Sequence, residues 1–153
     1  MTSPIALQGV KVLDLTRLLP GPHATFVLAG YGADVIKVED TEAGDYARQS
    51  APLACSGFGA AFTATNAGKR SLSVNLKLPQ GRSVLERLVQ DADVLVESFR
   101  PGVMERLGLG HAHLRAINPR LIYCAISGYG QQTADAALAG HDLNYQGVAG
   151  LLS

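Results

Sequence analysis

The chain has 153 residues, 47% of them hydrophobic and 17% charged, and thirteen basic residues balance thirteen acidic ones. That size suits one domain with a core of its own, and that apolar content excludes a disordered chain. Zero net charge removes the broad positive field of a general nucleic-acid or anionic-membrane binder, and no apolar stretch is long and unbroken enough to span a bilayer.

The N-terminal run MTSPIALQGVKVLDL lacks the basic start and apolar core of a secretory signal. The two cysteines, Cys55 and Cys124, stand far apart without metal-ligand spacing, so a reducing cytoplasm is the expected location. Residues 10–15 form a β-rich run, 18–22 (LLPGP) a breaker cluster, 24–30 a helix and 34–39 a second strand. Two strands joined by a helix within about thirty residues predict a right-handed parallel βαβ unit.

Order weakens over 41–66, where Gly, Ala and Ser dominate without a sustained period. This stretch reads as a long loop with a short helical turn, either functional or a solvent-exposed excursion. Residues 71–76 alternate as a strand, and Pro79 suits the first turn of a helix to about Asp91 with Val84, Leu85, Leu88 and Val89 as its apolar stripe. Residues 93–97 form a buried-type strand, 101–107 a short helix, 114–118 another that Pro119 ends, and 121–127 a last strand. Strands alternating with helices predict an α/β fold, a Rossmann-like parallel sheet with flanking helices. No repeat or linker divides residues 1–153, so a single domain is expected.

A dinucleotide site fails at its fingerprint, because LLPGPHA stands where G-x-G-x-x-G would bring backbone N–H groups to a pyrophosphate, and its prolines lack that donor. Cations recur beside strand ends and turns instead: Lys37, Lys69, Arg70, Lys77, Arg100 and Arg106. They read either as phosphate contacts, aided by helix N-termini near Pro79 and Pro101, or as solvated surface charges. His141 is the best proton-transfer candidate, since imidazole gives and takes protons near neutral pH. It precedes an apolar helix-like run, so it reads either as a base or as a capping residue, and Asp142 either caps that helix or orients His141. His111 and His113 are spaced to share a metal only on a strand, and no further ligands gather there, so no metal site is expected. No G-x-S-x-G elbow occurs.

The segments GVKVLDLTRLLPGPHAT, GADVIKVED, GKRSLSVNLK, ADVLVESFRPGVMERLGLG, NPRLIYCAISGYGQ and AGHDLNYQGVAGLLS cover nearly the whole chain. In this order they resemble the family III CoA-transferases, the group that includes carnitine and bile-acid CoA-transferases and α-methylacyl-CoA racemase. The resemblance implies that residues 1–153 are one CoA-binding N-terminal domain, truncated relative to the family, and that the full-length form is an interlocked homodimer. CoA or acyl-CoA is then the partner, as part of the substrate and not as a prosthetic group. The match to the CoA-binding turn falls on Val74, Asn75, Leu76 and Lys77. Arg100 and Arg106 match positions near the CoA phosphates, and Gly140, Asp142 and Tyr145 of the GHDLNY motif join the CoA contacts.

One departure stands out: family members often carry Arg after the second strand, where this chain has Asp40, and Lys37 is the neighbouring cation that could compensate. GHDLNY looks more like the racemases, in which this His and a downstream Asp flank the substrate α-carbon, so His141 is expected to be one of two bases in a 1,1-proton transfer on a 2-methylacyl-CoA. The transferases use a downstream Asp as nucleophile to move CoA between carboxylic acids. Both routes need a carboxylate beyond Ser153, which leaves a non-catalytic CoA-binding fragment as a third expectation.

Overall fold

The computed structural model describes residues 5–152. The first four residues and Ser153 lie outside the described residues. Five strands, β1 (Lys11–Leu15), β2 (Asp34–Glu39), β3 (Arg70–Ser73), β4 (Val94–Glu97) and β5 (Ile122–Ala125), pair in parallel in the order β3-β2-β1-β4-β5. The helices are α1 (Pro20–Gly30), α2 (Ala60–Thr65), α3 (Pro79–Gln90), α4 (Val103–Arg106), α5 (His111–Ile117) and α6 (Asp142–Val148). This is the expected α/β sheet, and its chain order reverses between β1 and β4, which is where such sheets open a crevice at their C-terminal edge.

Period-two alternation in β1 builds two apolar layers. Leu13 and Leu15 join Leu85, Val89, Leu95, Leu114 and Leu121 beneath α3 and α5. Val12 joins Val35, Val96 and Ala33 on the other face, where Leu28 and Ala29 of α1 pack. Asp14 shares the α1 face with Val12 and is fully buried, so it requires partners.

Two segments depart from the sequence reading. Helix α1 begins at Pro20, inside the expected breaker cluster, because both of its prolines fall in the first turn, whose N–H groups have no intrahelical acceptor. The stretch 41–66 holds a 3₁₀ turn (Tyr46–Gln49) capped by the Asp45 carboxylate, which accepts the Ala47 N–H, followed by α2. The Arg48 guanidinium lies 5.2 Å from the Phe58 ring centre and 4.1 Å from that of Phe62, tying the turn to α2. Strand β3 stops at Ser73 and hands over to a turn over 74–78.

Candidate functional site

Every strand releases its chain at the same edge of a parallel sheet, so the loops after β1, β2, β3 and β4 converge there. They enclose a groove of about 170 Å³. Its floor is Val38, Glu39 and Asp40 of the β2 end, one wall is the 74–77 turn, and the other is Phe99 with Val103 of α4 and Leu107 just after it. Arg17, just after β1, closes the fourth side. The volume is below the roughly 300–1,000 Å³ of clefts that enclose a drug-sized ligand, so the groove suits one end of an elongated molecule.

The 74–77 turn is held tightly. Val74 N–H donates to the Glu39 carbonyl (2.8 Å), Lys77 N–H to Asn75 Oδ1 (2.9 Å) and Leu78 N–H to the Asn75 carbonyl (3.2 Å). Gly81, in the first turn of α3, is buried against this turn, and a Cβ there would collide with the Asn75 carbonyl. The Lys77 ammonium is exposed and makes no ion pair among the described residues.

Below the β1 end lies a buried ionic cluster. Lys69 Nζ donates to Asp14 Oδ2 (2.9 Å), the Pro22 carbonyl (2.8 Å), Thr25 Oγ1 (2.7 Å) and Asn66 Oδ1 (2.9 Å). Burial alone would raise the Asp14 carboxyl, but the Lys37 and Lys69 charges and the Thr16 and Thr25 hydroxyls outweigh it and hold it below the ordinary 3.8. Lys37, expected at a ligand phosphate, is 1% exposed, donates to the Thr16 carbonyl and lies 2.9 Å from Asp45 Oδ2. Alternation along β2 turns it into the protein, so it is not presented to the groove and cannot replace a missing cation there. Asp45 Oδ1 accepts the Leu18 N–H, and Leu18 sits at φ 67°, a left-handed backbone that an L residue keeps only under such constraint.

Arg17, which sequence reasoning passed over, is fixed on the groove by this scaffold. Its N–H donates to Ser98 Oγ, its Nη2 to Asp40 Oδ2 (2.8 Å), and its guanidinium lies 5.3 Å and 5.7 Å from the Tyr46 and Phe99 ring centres. The available signal was a lone Arg in the loop after the first parallel strand. Burial tends to raise Asp40, but three backbone N–H groups (Gly44, Ala43, Glu42) and Arg17 prevail and hold it below the ordinary 3.8. Glu39 is paired bidentately with Arg48, Nε to Oε1 at 2.8 Å and Nη2 to Oε2 at 2.6 Å.

The other expected residues are distributed more widely. Arg100 and Arg106 are exposed on the loop after β4 and on α4, beside the groove without lining it. Gly140, His141, Asp142 and Tyr145 come after β5 in the chain, and none of them lines the groove. His141 is exposed at the N-terminal end of α6, with its N–H donating to Asn144 Oδ1 (2.9 Å). Tyr145 hydroxyl donates to the Gly140 carbonyl (2.6 Å), and its ring lies over Gly128 and edge-on to Tyr129. Asp142 accepts from Gln146. His111 and His113 lie on α5, where two residues apart they point away from each other; His113 meets Glu86 at 2.7 Å, and His111 packs on Tyr123.

A buried carboxyl completes the edge. Glu97 ends β4, accepts the Phe99 N–H (2.7 Å) and the Tyr123 hydroxyl (3.4 Å), feels the charge of Glu105, and has no ion pair among the described residues. Burial, reinforced by Glu105, raises its pKa above the ordinary 4.5. Burial and Glu97 likewise raise the Tyr123 phenol.

Comparison with known proteins identifies the family and the fold. The model of CoA-transferase family III matches residues 7–153. The chain is 44% identical to succinate–glutarate CoA-transferase of Agrobacterium fabrum, an alignment covering 96% of this chain and 38% of that protein. It is 45% identical to human alpha-methylacyl-CoA racemase, covering 97% of this chain and 35% of that one. A CAIB/BAIF family protein from Brucella suis superimposes with a TM-score of 0.87 at 43% identity, over 94% of this chain and 39% of the other. The chain thus spans under two fifths of the length of these relatives. No helix among the described residues is long and apolar enough to cross a membrane. With a parallel sheet, a groove at its C-terminal edge and a family model matched along residues 7–153, this chain belongs to CoA-transferase family III.

Proposed function

We propose that this chain forms the nucleotide end of a CoA site, and that in the whole protein His141 acts as one base of a racemase-like 1,1-proton transfer at the α-carbon of a 2-methylacyl-CoA. The observation that carries the CoA reading is the groove itself, where Val74, Asn75, Leu76 and the exposed Lys77 meet Phe99 and Arg17. An adenine fits against Leu76 and Phe99, and Lys77, with Arg100 and Arg106 just outside, supplies charge for phosphates. The 74–77 turn follows β3 at one end of the strand order, and the GHDLNY motif follows β5, the strand at the other end. An elongated thioester lying across the C-terminal edge joins the two.

A second reading, CoA transfer between carboxylic acids through an aspartyl acyl-enzyme, draws on the 44% identity to a CoA-transferase, nearly equal to the 45% identity to a racemase. A homodimer and a reducing cytoplasm belong to the same proposal: Leu143, Val148 and Leu151 are over 70% exposed on and after α6, and Cys55 and Cys124 are free and exposed.

Calorimetric titration of this chain with CoA tests the groove, with saturable heat expected and none contradicting it. For the whole protein, deuterium exchange at the α-carbon of a 2-methylacyl-CoA, lost in His141→Ala, is the expected result. Acid-dependent CoA transfer without exchange would replace the racemase reading with the transferase one. Binding with neither turnover would leave a binding module.

A further inference from the structure

The β2 end of the groove carries two carboxylates and, among the described residues, no uncompensated cation. Glu39 is bound to Arg48 and Asp40 to Arg17, while the exposed Lys77 stands on the β3 side. Asp40 is fixed rigidly: Oδ1 accepts the Glu42, Ala43 and Gly44 N–H groups at 3.0, 2.9 and 3.0 Å, and Oδ2 receives Arg17. The Arg17 and Asp40 side chains remain 30% and 33% exposed, so the pair faces ligand space.

In sheets of this order that bind nucleotides, the ribose lies at the β2 end, where an acid suits free ribose hydroxyls and an arginine accommodates a ribose phosphate. Here the arginine that lines the groove, Arg17, is neutralised by the acid. We infer that Asp40 is a specificity-determining residue: by holding Arg17 it makes the groove indifferent to a phosphate on the adenosine ribose, so 3′-dephospho-CoA binds as well as CoA. This inference rests on the CoA reading above and sharpens it to one position of the ligand.

Titrating the chain with CoA and with 3′-dephospho-CoA at the same ionic strength tests it. Dissociation constants within threefold of each other, or a tighter dephospho form, are the expected result. Asp40→Asn keeps an oxygen for the three N–H groups while releasing Arg17, and should tighten CoA about tenfold with dephospho-CoA unchanged. CoA binding more than tenfold tighter than dephospho-CoA to the native chain would overturn the inference, as would an Asn variant that folds, by its melting curve, yet leaves the ratio unmoved. Should the variant not fold, the native ratio decides alone. If neither ligand binds, the CoA reading falls and this inference with it, an outcome distinct from binding with the wrong ratio.

Discussion

At the scale of single residues, the buried charges do most of the positioning. Lys69 serves four acceptors with its side chain 1% exposed. Lys69→Met strands the Asp14 carboxylate in the protein and should cost about 3–5 kcal/mol in chemical denaturation, the usual price of breaking a buried pair from one side. Lys77 is the contrasting case, its ammonium exposed and without an ion pair among the described residues. Lys77→Ala should leave the melting temperature within about 1 °C and weaken CoA roughly tenfold, since a charged hydrogen bond contributes about 1.5–3 kcal/mol before screening. Residue-level legibility divides along the same line. Lys77 was readable because it follows a strand in a turn, whereas Lys37 was misread because hydropathy patterns mark lysine as outward-facing. The partners of Lys37, the Asp45 carboxylate and the Thr16 carbonyl, explain a lysine turned inward from β2. Arg17 was missed because its role depends on Tyr46, Phe99 and Asp40, which the chain brings to it from far along the sequence.

At the scale of elements, the strands and α3 were legible because their periods are local. The apolar stripe of α3 buries Leu85 and Val89 completely. The segment 41–66 was illegible because Arg48, Asp45 and two phenylalanine rings order it, and none of these leaves a periodic signal. Glycines give a paired test of how α3 shapes the site. Gly81→Ala should push the Asn75 carbonyl, lowering stability by about 1–3 kcal/mol and weakening CoA binding. Gly30→Ala, which meets nothing within 4 Å at the end of α1, should be neutral or stabilise by up to about 1 kcal/mol with binding unchanged. Melting curves and titrations of the two variants check the contrast.

At the scale of the whole molecule, opposed carboxylates set the pH response. Asp14, Glu39 and Asp40 are held below their ordinary values of 3.8, 4.5 and 3.8, so the unfolded chain binds protons more readily than the folded one. Their contribution is present above those ordinary values and is lost as pH falls through the lower folded ones. Glu97 runs the other way: raised from 4.5, it favours folding in acid, and its contribution is lost as pH rises from 4.5 through the folded value. Glu97→Gln keeps an acceptor for the Phe99 N–H and removes the buried charge. It should raise the melting temperature at neutral pH by roughly 2–4 °C, the shift made by ~1 kcal/mol in a domain of this size, and have less effect near pH 4. The central claim, a CoA nucleotide held at the C-terminal edge of the sheet, is tested most directly by amide hydrogen exchange with and without CoA. Added protection is expected over residues 74–78 and 98–100, with none at the opposite edge around Lys11, Asp34 and Arg70. Unchanged exchange over 74–78, or protection confined to that opposite edge, would contradict it.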